Sequence, residues 1–71
     1  MRVLLVEDNK DLAAAVRTGL GAFSHDVTSA FTLSEARGKA SQIRFDAVVL
    51  DLGLPDGDGY EFVRYVRAQR S

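Results

Sequence analysis

The chain has 71 residues, 46% hydrophobic and 27% charged, with Lys plus Arg 9 against Asp plus Glu 10 and a net charge of −1. Those values fit a small globular domain and give no reason to expect direct nucleic-acid or membrane-surface binding. The absence of cysteine excludes disulfides, thiolate metal sites and thiol catalysis.

Val3-Leu4-Leu5-Val6 is a continuous apolar run, β-branched at both ends, and predicts a strand buried on both faces. Glu7-Asp8 closes it at once. The run is too short for a signal peptide or a membrane span, so a cytoplasmic soluble chain is expected. Asn9 is placed to cap the next segment, with Asp11 in its first turn. Leu12, Val16 and Leu20 recur at helical spacing beside Ala13, which predicts a helix from residue 10 to 19 or 20, stopped by Gly19 and Gly21. Residues 27–30 form a weaker, more exposed strand. Thr32-Leu33-Ser34-Glu35 has the form of a capping box, and Leu33, Ala36, Ala40 and Ile43 trace one helical face after it.

Ala47-Val48-Val49-Leu50 is a second doubly apolar run and ends in Asp51. Residues 53–59 hold three glycines and the only proline, a turn-rich loop. Asp58 with Glu61 then caps a last helix whose buried stripe is Phe62, Val63 and Val66. Strands alternating with helices predict an α/β fold with a parallel sheet and right-handed crossovers. His25 falls in a loop and reads as solvated, Tyr60 and Tyr65 read as core-rim residues, and Arg64, Arg67 and Arg70 as a solvated helix face.

In an open parallel sheet, sites form beyond the carboxyl ends of the strands. If the first and third strands are neighbours, Glu7, Asp8 and Asp51 converge there, with Asp56 and Asp58 in the loop just after and Lys10 the only nearby base. Like charges that close raise one another's pKa, and a hard divalent cation relieves them. Oxygen-only donors suit Mg²⁺ or Mn²⁺. A carboxylate is also an accepted nucleophile for making an aspartyl phosphate. Any one of these acids alone reads equally well as a solvated helix cap; the combination carries the chemistry. A dehalogenase-type phosphatase needs a second Asp where Gly53 stands, and no Gly-x-x-x-x-Gly-Lys phosphate loop is present.

Val3-Leu4-Leu5-Val6-Glu7-Asp8-Asn9 resembles the start of a bacterial two-component response-regulator receiver domain. The segment Phe45-Asp46-Ala47-Val48-Val49-Leu50-Asp51-Leu52-Gly53-Leu54-Pro55-Asp56-Gly57-Asp58-Gly59 resembles that family's phosphorylation segment, in the wording of its OmpR-type branch. The resemblance implies a flavodoxin-like half: βαβαβα, a three-stranded parallel sheet of order 2-1-3 with helices on both faces. It implies that Asp51 accepts a phosphoryl group from a histidine kinase. Asp8 and Asp51 would hold Mg²⁺ by their side chains, Gly53 by its carbonyl and Glu7 through water, so the protein is a phosphoacceptor rather than an enzyme. Pro55 and Gly59 would shape the loop, Gly59 by permitting unusual backbone angles.

Family members carry two further βα units, with a switch hydroxyl, a phosphoryl-pairing lysine and a switch aromatic. Residues 1–71 are therefore expected to be a truncated receiver domain with no linker or effector domain. Phosphotransfer is expected to be impaired, and the third strand, left as an apolar edge, to drive a homodimer or a domain-swapped assembly. A self-associating half-domain scaffold without phosphotransfer is the alternative.

Overall fold

The structure, a computed structural model, describes residues 1–51 and 53–70, the Arg70 side chain excepted. Its elements are β1 (Arg2–Val6), α1 (Lys10–Gly21), β2 (Asp26–Ala30), α2 (Leu33–Gln42), β3 (Ala47–Leu50) and α3 (Gly59–Arg70). The strands pair in parallel in the order β2-β1-β3, as the resemblance implies. β1 takes the centre because it is apolar on both sides: Val3, Leu4, Leu5 and Val6 are each no more than 3% exposed.

Register assigns the two faces. Leu4 lies beside Thr28 and Val48, and Val6 beside Ala30 and Leu50. Onto that face pack Leu33 and Ala36 of α2, Phe62 of α3, and Phe45 and Leu54 from the flanking loops. Phe62, Leu4 and Val6 are the largest fully buried side chains. The other face carries Val3 and Leu5, in register with Ala47 and Val49. α1 packs over β1 and β2 and buries Ala13. The chain moves from β1 outward to β2 and then back past β1 to β3. Right-handed crossovers in those opposite directions put α1 and α2 on opposite faces. At the foot of the sheet, Arg2 N–H donates to Asp46 Oδ2 (2.7 Å) and Asp46 N–H to the Arg2 carbonyl (2.8 Å), which fixes where β3 begins.

The helix starts follow their caps. Asn9 Oδ1 accepts from Leu12 N–H at 3.0 Å, and Thr32 Oγ1 from Glu35 N–H at 3.0 Å. Glu35 reaches back one residue further than a capping box requires, accepting from Phe31 N–H at 3.0 Å.

Several expectations are corrected. β2 begins at Asp26, one residue early. α1 runs through Gly19 to Gly21, and Ala22, Phe23 and Ser24 close it by donating to the carbonyls of Thr18, Leu20 and Gly21. The left-handed residue after the helix is Ser24 (φ 64°), and no described glycine has positive φ, Gly59 included. Gly59 is instead the buried first residue of α3. Leu12 is 50% exposed; among the described residues α1 packs chiefly against β2 and β1. Ile43 is the extended C-cap of α2 and not part of the helix. Tyr60 is 62% exposed, whereas Tyr65 does line the core rim, 6.4 Å from Phe62 between ring centres. His25 is half-buried, its Nδ1 3.3 Å from the Met1 amine. Arg64 and Arg67 are exposed as expected, and the Arg70 side chain lies outside the described residues. Among the described residues no helix is long and apolar enough to cross a membrane.

Candidate functional site

Parallel pairing carries the tips of β1 and β3 side by side. Asp51 N–H donates to the Val6 carbonyl at 3.0 Å, and on the other flank Glu7 N–H donates to the Ala30 carbonyl at 3.0 Å. The residues that follow the two apolar runs therefore emerge together. One carboxylate oxygen from each of Glu7, Asp8 and Asp51 lies within 4.8 Å of the other two. Glu7 and Asp51 are half-buried and Asp8 is exposed, so the cluster opens to solvent on one side.

Local hydrogen bonds hold the cluster. Glu7 Oε1 accepts from Asn9 N–H at 3.1 Å, and the same Asn9 caps α1, so the acidic turn is locked to a helix N-terminus. Asp51 Oδ1 accepts from Gly53 N–H at 2.9 Å, which orients the carboxylate. A Cβ at position 53 would stand 3.3 Å from that oxygen, a tight contact that glycine avoids.

The electrostatics agree with the expected crowding. The Asn9 N–H bond pulls the Glu7 carboxyl down. Desolvation, the Asp51 charge, and hydrogen bonding with Asp8 and Asp51 together outweigh it, so Glu7 sits above its ordinary 4.5. All the donors are carboxylate oxygens. That set is complementary to a hard divalent cation, which satisfies several carboxylates at once.

Asp56 and Asp58, expected beside these acids, are engaged elsewhere. Asp56 Oδ1 accepts from Leu33 N–H at 2.9 Å and Oδ2 from Ser34 N–H at 3.1 Å. The Leu33 bond is the main reason the Asp56 carboxyl lies below its ordinary 3.8. Asp58 Oδ1 accepts from Tyr60 N–H at 2.9 Å and its carbonyl from Phe62 N–H at 3.3 Å, which caps α3. The unsatisfied N–H groups and positive end of each helix draw these two carboxylates away. Lys10 also has a resting place the sequence did not show: its ammonium lies 5.4 Å from the centre of the Phe31 ring. A cavity of about 440 Å³ between the ends of α2 and α3, floored by Ile43, Phe45, Val48 and Val66, shares no residue with the acidic cluster.

Comparison with known proteins gives concordant results. Residues 3–71 match the family model described as the response regulator receiver domain. The chain is 43% identical over 65 residues to the KDP operon transcriptional regulatory protein KdpE of Escherichia coli, covering 92% of this chain and 29% of that protein. It is 39% identical over 67 residues to the transcriptional regulatory protein PrrA of Mycobacterium tuberculosis, covering 94% and 29% respectively. The non-phosphorylated HemR receiver domain of Leptospira biflexa superposes with a TM-score of 0.87 at 39% identity, over 94% of this chain and 54% of that one. The response regulator protein TrrA of Thermotoga maritima, solved in complex with Mg²⁺-BeF, gives 0.90 at 25% identity, over 97% and 60%. The chain thus spans 29% of the length of these curated relatives and little more than half of the solved chains.

Proposed function

The chain belongs to the response regulator receiver domain family, and from that premise we propose that Asp51 is the phosphoacceptor of a two-component phosphorelay. The observation that carries the reading is the convergence of Glu7, Asp8 and Asp51 to within 4.8 Å at the adjacent tips of β1 and β3. Asp8 and Asp51 would hold Mg²⁺, or Mn²⁺, by their side chains, Gly53 by its carbonyl and Glu7 through water. The likeness to a receiver solved with Mg²⁺-BeF supports this choice of ion. Bound there, the cation supplies positive charge that lets an anionic phosphoryl group approach three acids.

The chemistry of the chain's own residues is short. A carboxylate oxygen of Asp51 attacks phosphorus, and the bond from phosphorus to the donor breaks. With a histidine kinase as donor, the histidine nitrogen keeps the electron pair and an acyl phosphate forms on Asp51. Gly53 N–H holds the carboxylate in one orientation while this happens. Asp51 is consumed as acceptor, so the protein is a substrate of the relay rather than a turnover enzyme.

Tested by themselves, the 71 residues are expected to react slowly. The resemblance puts the phosphoryl-pairing lysine in a later βα unit, and Lys10 rests over Phe31. Loss of one such electrostatic contact costs about 10²–10³ in rate. The same segment alone is expected to self-associate, because β3 is an edge and Val49 (42%) and Leu12 (50%) are exposed. No observation favours a scaffold without phosphotransfer.

The test is incubation with Mg²⁺ and acetyl phosphate followed by intact-mass measurement. The expected result is a slow gain of one phosphoryl group, absent in Asp51→Asn and absent after chelation of the metal. An adduct that persists in Asp51→Asn, or none after prolonged incubation, overturns the assignment.

A further inference from the structure

The loop that leaves Asp51 is tied to α2, a helix with no residue in the acidic cluster. The first three N–H groups of α2, those of Leu33, Ser34 and Glu35, each have a partner outside the helix ladder. Glu35 N–H donates to Thr32 Oγ1 and Ala36 N–H to the Thr32 carbonyl. Leu33 and Ser34 N–H donate to the two oxygens of Asp56, which lies 23 and 22 residues further along the chain. Two of the three capped N–H groups of the first turn, those of Leu33 and Ser34, are therefore satisfied by the loop between β3 and α3.

Two neighbouring contacts strengthen that junction. Leu54 of the loop and Leu33 of α2 are each 5% exposed and share one apolar cluster. A Cβ at position 57 would meet Leu33 Cδ1 at 3.0 Å, so the loop backbone runs directly against α2 where glycine stands. The apolar contact supplies depth without direction. The paired, charge-assisted bonds from consecutive amides fix both Asp56 oxygens in space. The same bonds commit the Asp56 charge to a helix N-terminus.

We infer that Asp56 is a positioning residue: by clamping the β3–α3 loop to the first turn of α2, it holds Gly53 beside Asp51. The inference rests on the reading above that Gly53 and Asp51 hold the cation. It assigns to α2 a part in metal affinity that none of its own side chains would reveal. Outer partners that orient metal ligands typically change affinity by about 10–100-fold when removed. Asp56 acts at one remove, so the lower end of that range applies.

The test compares Asp56→Ala, Asp56→Asn and Thr32→Ala in the 71-residue chain, reading the Mg²⁺ concentration that gives half-maximal phosphorylation by acetyl phosphate. Asp56→Ala should raise that concentration about tenfold, with the rate at saturating Mg²⁺ unchanged. Asp56→Asn, which keeps one acceptor oxygen, should recover part of the shift and serves alone if the alanine variant fails to fold. Thr32→Ala removes the hydroxyl acceptor of the same helix cap, leaves the Thr32 carbonyl in place, and should leave half-saturation at the wild-type value. Wild-type half-saturation in both Asp56 variants overturns the inference, and so does an equal shift in Thr32→Ala. If the wild type itself shows no Mg²⁺ dependence, the metal reading fails and amide exchange in metal-free protein decides the clamp. Faster exchange of Gly53 N–H in Asp56→Ala, and not in Thr32→Ala, supports the clamp; unchanged Gly53 exchange rejects it.

Discussion

Replacing Phe62 with alanine should remove at least a quarter of the domain's stability. Phe62 is fully buried (0%) where α3 meets the sheet, in the cluster that also holds Leu4, Val6, Leu33 and Leu54. Removing a buried phenylalanine ring costs about 3–5 kcal/mol, transfer and cavity terms together. At roughly 0.05–0.15 kcal/mol per residue, a chain of 71 residues has about 4–11 kcal/mol in all. The substitution therefore removes between a quarter and all of the stability. Urea titration followed by far-UV circular dichroism measures this, with Phe23→Ala as the comparison. Phe23 is 76% exposed, and its loss should change stability by no more than about 0.5 kcal/mol. A loss under about 1 kcal/mol for Phe62→Ala, or one as large for Phe23→Ala, would refute the assignment of the core.

Two further outcomes follow from the surface and from charge. The Asp56 carboxylate is held below its ordinary 3.8 by the α2 amides, so its ionised form favours the fold. That contribution is complete above 3.8 and is lost as pH falls through the lower folded value, so wild type should exceed Asp56→Asn in urea midpoint at neutral pH and converge with it in strong acid. A gap that widens on acidification contradicts the sign. Val49→Lys puts a charge on the exposed edge strand, and light scattering at micromolar concentration should show less association than wild type. A wild-type monomer under the same conditions would remove the edge-pairing expectation.

The parts of the fold that could be read in advance are those where local pattern and tertiary demand coincide. The runs at residues 3–6 and 47–50 are apolar at every position, which suits strands of a parallel sheet. Their acidic ends then converge as soon as the strands are neighbours. Helix starts were legible because Asn9 and Thr32 act within three residues of themselves. Burial was less legible. Periodicity marks the side of a helix that is fit to be covered, but the neighbours decide how much is covered, and so Leu12 and Tyr60 lie exposed. The end of α1 was missed because a positive φ falls to Ser24 and not to a glycine. Asp56 reads from the sequence only as an acid in the loop beside the metal cluster, because nothing local shows a carboxylate reaching α2 amides 22 and 23 residues earlier. His25 was read as solvated for the same reason, its neighbour being the amine of Met1 across the sheet foot.

The proposed phosphoacceptor site requires one shared cation at the tips of β1 and β3, and paramagnetic broadening by Mn²⁺ reads its position directly. At substoichiometric Mn²⁺, amide signals of Glu7, Asp8, Asp51 and Gly53 should vanish first, those of Arg2, His25 and Asp46 at the opposite end of the sheet should stay sharp, and Asp8→Asn should need far more metal. Broadening centred anywhere else, or unchanged by Asp8→Asn, would contradict it.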